Sequence, residues 1–231
     1  MSLAYRFSAY NRQRKWQRFV ELVAPTADTT ILDVGYSDQE YSATDNFLEK
    51  HYPWPQRITA LGIEEPLEFG PRYPEVTVVQ YDGSEFPFDD GQFDVCWSNA
   101  VVEHVGDHDR QRMFLSEIRR VSRRAFVTTP NLLFPIEVHT RTPFLHWLPK
   151  PWFDQFLHWT RRDWATGDYM HLLSRGAVER LLDEAGVVQP EILTNRLGPF
   201  VLDFIVTWQC TSREQEQENV CALADVGATT P

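Results

Sequence analysis

The sequence predicts an α/β fold: a mostly parallel sheet with helices on both faces. Three observations carry the prediction. Short apolar runs recur with helical segments between them, the succession that right-handed strand–helix–strand crossovers require. The first run, Thr30-Ile31-Leu32-Asp33-Val34-Gly35, is too short for a core helix and is bounded by polar and breaker residues, as in a central strand covered on both faces. Asp33, Glu64 and Asp82 place a carboxylate at or near the ends of three of the four leading runs. Gly35 marks where the backbone comes close to a ligand, since glycine permits positive φ and removes the side chain that would hold the ligand off. The following helix would aim its N-terminal amides at the same spot.

Taken in order, Asn11 to Val23 sets Trp16, Phe19, Val20 and Val23 at helical spacing, with Arg12, Arg14, Lys15 and Arg18 read as a solvated face. After the first strand, Ser42 and Asp45 offer capping groups for a helix to His51. Arg57 to Glu64, Thr77 to Asp82 and Phe93 to Ser98 supply the next strands, with Phe86 to Gly91 a loop before the last of them. Asp107 and Asp109 can cap a helix carrying Phe114, Leu115, Ile118 and Val121, and Ala125 to Thr129 is the fifth strand. Ser174 caps a helix that ends at Gly186. Glu191 to Thr194 and Phe200 to Gln209 are joined by a turn short enough for a hairpin, so the last strand runs antiparallel. Residues 131–168 leave this scheme, with Trp147, Trp152, Trp159 and Trp164 among four prolines. They read as an aromatic cap over a substrate, with a small helical satellite core as the alternative.

Five ordered motifs give the chain a family resemblance: LDVG at 32–35, GIE at 62–64, YDGSEFPFDDGQFDV at 81–95, SNAVVEHV at 98–105 and TTPN at 128–131. Their order resembles the class I S-adenosylmethionine-dependent methyltransferases, specifically the bacterial type-11-like group, over roughly residues 10 to 208. That resemblance implies a Rossmann-like, seven-stranded sheet of order 3-2-1-4-5-7-6 with an antiparallel last strand, and S-adenosylmethionine as cofactor. It also implies ligand roles. Glu64 would accept the ribose hydroxyls, Asp82 would meet the adenine amino group with Gly83 admitting the backbone, and Asp33 would orient the Gly35 turn or reach the methionine amino group. Ser98 and Asn99 would line the methionine side. The turn departs from the family's usual GxGxG, with Ser37 and Gln39 in place of glycines. Ser37 is small enough for the site, and its hydroxyl with Asp38 can build a turn of its own. A nicotinamide enzyme fits worse, since it would need glycines at Ser37 and Glu40.

Methyl transfer needs a nucleophile placed in line with the methyl group and a destination for its proton. His104, in the SNAVVEHV segment, and Glu137 and His139, which share a direction in an extended segment, are the candidate catalytic residues. Tying the cap to the sheet is the alternative role for the last two. The expected function is in-line methyl transfer to a small-molecule or lipid-like acceptor. The alternative is a non-catalytic binding or assembly protein on the same fold, which the altered turn would favour.

Composition bounds the rest. At 231 residues and 42% hydrophobic content the chain suits one domain, residues 1–210, with a polar tail at 211–231 expected to be disordered. A net charge of −11 excludes non-specific nucleic-acid binding. Three cysteines without a CxxC or CxxH pair argue against a disulfide framework and a structural zinc, and no metal is expected. No apolar run has the length of a signal core or a membrane span, so a cytoplasmic location is expected. Tryptophans flanked by Lys150, Arg161 and Arg162 are a mix that bilayer interfaces favour, which leaves peripheral membrane contact as an alternative.

Overall fold

The computed structural model describes residues 3–137 and 139–210. The elements are α1 (Leu3–Val23), β1 (Ile31–Val34), α2 (Phe47–His51), β2 (Ile58–Gly62), α3 (Phe69–Arg72), β3 (Thr77–Gln80), β4 (Val95–Asn99), α4 (His108–Val121) and β5 (Arg124–Pro130). They continue as β6 (Ile136–Glu137), β7 (Thr142–Pro143), α5 (Lys150–Trp159), α6 (Arg175–Glu184), β8 (Glu191–Leu197) and β9 (Phe200–Gln209). The seven-stranded sheet runs β3-β2-β1-β4-β5-β9-β8. With the short cap strands β6 and β7 set aside, this is the expected 3-2-1-4-5-7-6 order. β1 to β5 pair in parallel, and β9 runs antiparallel to both β5 and β8. This is the class I methyltransferase arrangement of a Rossmann-like sheet.

Period-two alternation splits β1 between two cores. Leu32 and Val34 pack with Cys96, Val127 and the apolar stripes of α4 and α6, while Ile31 packs with Phe19 of α1, Trp97 and Phe126. Phe19 is fully buried, with its ring edge-on to Trp97 at 5.0 Å and Phe126 at 5.5 Å. Such a ring contributes about 1.5–3 kcal/mol by burial. Asp107 and Ser174 cap α4 and α6 as expected, each side chain accepting a backbone N–H of the first turn, from Arg110 and Ala177.

Two expectations are corrected, and a third is given its packing. The helix expected from Ser42 begins only at Phe47, because Asp45 accepts the N–H groups of Tyr41 and Ser42 in a turn of its own and Asn46 takes a left-handed φ of 46°. The basic residues of α1 do not form one solvated face. Lys15 is 3% exposed, and Arg12, half-buried, points inward beside it, leaving Arg18 exposed. The aromatic segment carries its own small core, Phe153, Leu157 and Ala165, so the satellite-core alternative describes its packing. Trp152, Trp159 and Trp164 remain exposed. The expected tail at 211–231 lies outside the described residues, and among those described no helix is long and apolar enough to cross a membrane.

Candidate active site

The parallel strands end in a cavity of about 250 Å³ lined by Gly35, Glu64, Gly83, Val101, His104 and Phe114, among others. Its floor follows from the turn after β1. Gly35 has φ +100°, and its N–H extends the ladder to Leu61 O at 2.8 Å. A Cβ here would lie 2.4 Å from a Val101 methyl, so the turn after β4 is seated directly on the glycine. Tyr36 lies across Gly62 and donates its hydroxyl to Glu64 O at 2.6 Å.

The rest of the turn is built from side chains. Ser37 Oγ donates to Gln39 O at 2.8 Å, and Ser37 N and O are clamped by the Asn46 amide at 2.9 and 2.8 Å. Asp38 Oδ1 accepts the N–H groups of Glu68 and Phe69 at the start of α3, at 2.8 and 2.9 Å. Asp38 N donates to Glu64 Oε2 at 2.9 Å, which holds this exposed carboxylate at the cavity mouth. The turn without its family glycines thus rests on Ser37 and Asp38, as their chemistry suggested.

Not every expected ligand lines the cavity. Asp82 accepts from Ser84 N at 2.9 Å and from the Ser84 hydroxyl, which hold its pKa below the usual carboxylate range. It borders an adjoining depression with Gly83, Val105 and Arg110. Asp33 and Asn99 project to the α1 side of the sheet. The Asn99 amide, with its oxygen toward Arg12, donates to Thr128 Oγ1 at 2.8 Å. Ser98 is fully buried, and its hydroxyl has no partner among the described residues.

The three candidate catalytic residues meet. His104 Nε2 lies 3.1 Å from His139 Nε2, and His139 Nδ1 lies 2.8 Å from Glu137 Oε1. His104 Nδ1 is 2.8 Å from the Tyr169 carbonyl. Burial alone would raise the Glu137 pKa, but His139 and Thr140 bring it down to about 2. Burial would lower that of His139, and Glu137 more than offsets it, leaving the pKa above its ordinary value. The segment after β5 therefore supplies Glu137 and His139 to a cluster that His104 joins to the cavity wall.

Residues 48–125, from α2 to the start of β5, match the family model described as methyltransferase domain. Over this segment, about a third of the chain, the sequence is similar to a methyltransferase domain, in line with the family that its motifs resemble. No curated protein matches it in sequence. Its fold is that of solved structures distant in sequence. The 1,6-didemethyltoxoflavin-N1-methyltransferase of Burkholderia thailandensis, solved with bound 1,6-didemethyltoxoflavin and S-adenosylhomocysteine, aligns with a TM-score of 0.53 and 17% identity over 87% of this chain and 79% of that one. The geranyl diphosphate C-methyltransferase of Streptomyces coelicolor A3(2), in complex with Mg2+, geranyl diphosphate and S-adenosyl-L-homocysteine, aligns at 0.56 and 14% over 86% and 79%. An S-adenosylmethionine-dependent methyltransferase from Methanosarcina mazei aligns at 0.50 and 16% over 80% and 93%.

Behind the cavity lies a buried polar layer that reading by motif missed. Lys15 Nζ is 3.3 Å from Asp203 Oδ2, with both side chains 4% exposed. Asn11 and Asn195 add hydrogen bonds to the same oxygen at 2.9 and 3.0 Å. Arg12 stands alongside, its pKa lowered by burial and supported by the charges of Asp45 and Asp203. Glu103, quoted within the EHV segment but given no role, is fully buried and accepts Thr129 Oγ1 at 3.1 Å. The signal for the cations was present: Arg12 and Lys15 precede Phe19 by seven and four positions, which is the buried stripe of α1.

Asp33 meets Glu49 rather than the cavity, and burial pushes both carboxyls above their usual range, with the charge of Glu49 adding to the effect on Asp33. A proton shared between them satisfies a pair that otherwise leaves both Glu49 oxygens without a partner. In the unfolded chain these groups ionise near pH 4. The folded pair keeps its proton above that point, so stability contributed by the pair is lost as pH rises from about 4 through the raised folded pKa. Asp33→Asn is expected to be more stable than the parent at pH 7 and to show a shallower dependence. Urea midpoints at pH 4 and pH 7 measure it, and an unchanged slope would mean that the pair shares no proton.

Proposed function

We propose that this methyltransferase transfers the methyl group of S-adenosylmethionine in line to a small-molecule or lipid-like acceptor that enters beside His104. The observation that carries the reading is the convergence, on one cavity, of the Gly35 turn, the Glu64 carboxylate and Gly83, each at the end of a neighbouring parallel strand. In this reading Glu64 Oε1 takes the ribose hydroxyls while Oε2 stays with Asp38 N, and Gly83 admits adenine against Phe114, with Asp82 close by. The methionine end lies toward Gly35 and Val101, with Ser98 and Asn99 behind it. The methyl group then faces His104, and the His104–His139–Glu137 cluster orients the acceptor and offers a place for its proton. The bound small molecules of the Burkholderia and Streptomyces enzymes support an acceptor of that size. A cytoplasmic, soluble enzyme is part of the proposal.

The test is calorimetry with S-adenosylmethionine and S-adenosylhomocysteine on the parent and on Glu64→Ala. Loss of a charge-assisted hydrogen bond worth ~1.5–3 kcal/mol should weaken binding roughly ten- to a hundredfold. Equal affinity in the variant would place the ribose elsewhere. No binding by the parent would leave the fold to the non-catalytic alternative, which the seating of Val101 on Gly35 would then explain.

A further inference from the structure

We propose that Glu103, His104 and His139 form a binding site for one divalent transition-metal ion, of the zinc, cobalt or ferrous-iron class. The three ligand atoms lie within 4.8 Å of one another, and the argument turns on where the protons must be. His104 Nδ1 lies 2.8 Å from the Tyr169 carbonyl, which only accepts, so that nitrogen carries the ring proton. His139 Nδ1 faces the Glu137 carboxylate at 2.8 Å and must likewise donate. In both neutral rings the Nε2 atoms are left as lone pairs, and they face each other at 3.1 Å. Glu103 Oε1 adds a third. It is fully buried, has no hydrogen-bond partner among the described residues, and sits 4.0 Å from His104 Nε2.

With both rings neutral, three lone pairs converge with no donor between them, a set that a proton or a metal cation satisfies. Two imidazoles and one carboxylate suit zinc, iron, cobalt or nickel better than magnesium or calcium, which prefer oxygen ligands. Bonds of about 2.0–2.2 Å put adjacent ligand atoms roughly 3–3.5 Å apart. The histidine pair already stands at that spacing, and Glu103 has only to close by a fraction of that distance. Each ligand is also oriented from behind. Glu137 holds His139, Tyr169 O holds His104, and Thr129 Oγ1 holds the other Glu103 oxygen at 3.1 Å, the arrangement that fixes ring tautomer and raises ligand basicity at metal sites. The carboxylates of Glu103 and Glu137 give the pocket negative charge, and Arg12 opposes it from the α1 side.

His104 lines the cavity, so an ion here would present its open position toward the acceptor. There it would act as a Lewis acid on an acceptor oxygen, stabilising the anion that attacks the methyl group. That role rests on the proposed methyl transfer. Binding of the ion does not.

The experiment uses the full chain, stripped with a chelator and titrated with Zn2+ by calorimetry and with Co2+ by visible absorption. One equivalent of each should bind, with the ligand-field bands of nitrogen and oxygen coordination. His104→Ala and His139→Ala should each abolish the stoichiometric site, and Glu103→Gln should weaken it at least tenfold. His108→Ala, at an exposed pair with Glu184, should bind as the parent does. In the unsubstituted protein, Zn2+ should shift the Nε2 resonances of two histidines by 15N NMR, which reads the same ligation without relying on variants that fold. A folded, stripped chain that binds neither ion, or binding that survives in the double alanine variant, would overturn the site and leave a proton shared by the two rings. Cofactor binding without metal binding would retire this site alone. Metal binding without cofactor binding would retire the proposed reaction and keep the site.

Discussion

Gly35→Ala is expected to destabilise the protein by ~2–6 kcal/mol and to weaken cofactor binding together with it. Two physical costs combine. An alanine held at φ +100° occupies a region that L-residues rarely adopt, at about 1–3 kcal/mol. Its Cβ would also lie 2.4 Å from one Val101 methyl and 3.1 Å from the other, and overpacking of that kind costs about 1–3 kcal/mol. Relief of the contact means lifting the turn that carries Glu103 and His104, so the cavity wall moves with it. Gly35→Ala combined with Val101→Ala should recover the packing part and leave the backbone part, and a double-mutant cycle in urea separates the two. A Gly35→Ala midpoint equal to the parent's would show that the turn after β4 yields freely and that Gly35 is not where the two strand ends lock.

Asp203→Ala is expected to cost about 3–5 kcal/mol, because it leaves the Lys15 ammonium buried without its carboxylate. Lys15 would keep only Thr128 Oγ1 at 3.3 Å, with the Arg12 charge repelling it. Burial already lowers the Lys15 pKa and Asp203 is its largest support, so the variant should release that proton at a lower pH than the parent does. The deficit should therefore shrink as pH rises and the lysine becomes neutral. Lys15→Met with Asp203→Leu should restore most of the loss, since a well-packed apolar pair of similar volume replaces a buried ion pair at little cost. The exposed Arg18–Glu21 pair at 2.9 Å is the comparison: such pairs are worth about 0–1 kcal/mol. Urea unfolding of the single and double variants measures all of this, and a loss under ~1 kcal/mol in Asp203→Ala would mean that water reaches Lys15.

The two variants probe opposite kinds of information. The place of Gly35 was legible because a glycine at the end of an apolar run has a local meaning, and so were the caps at Asp107 and Ser174 and the order of the sheet. The α2 helix was misread for an equally local reason: Asp45 can cap a turn as readily as a helix, and Asn46 tolerates the left-handed conformation that settles the matter. Lys15 was misread because the charge of a side chain was allowed to outweigh its position on the stripe of Phe19.

The histidine cluster is different in kind. His104 and His139 are separated by 35 positions and come from the turn after β4 and the segment after β5, and nothing in the sequence marks that one oxygen of Glu103 is buried without a partner among the described residues. Periodicity and motif order by themselves determined the α/β class and the strand succession, and the motifs carried the resemblance to the methyltransferase family. Only the tertiary structure decided that Val101 seats on Gly35, that Asp33 turns away to Glu49, and that three lone pairs from Glu103, His104 and His139 converge. The existence of each strand depends on backbone periods that every residue in a run repeats, while the order of the strands was what the resemblance implied. Convergence depends on side-chain directions from segments far apart in the chain, which no period encodes.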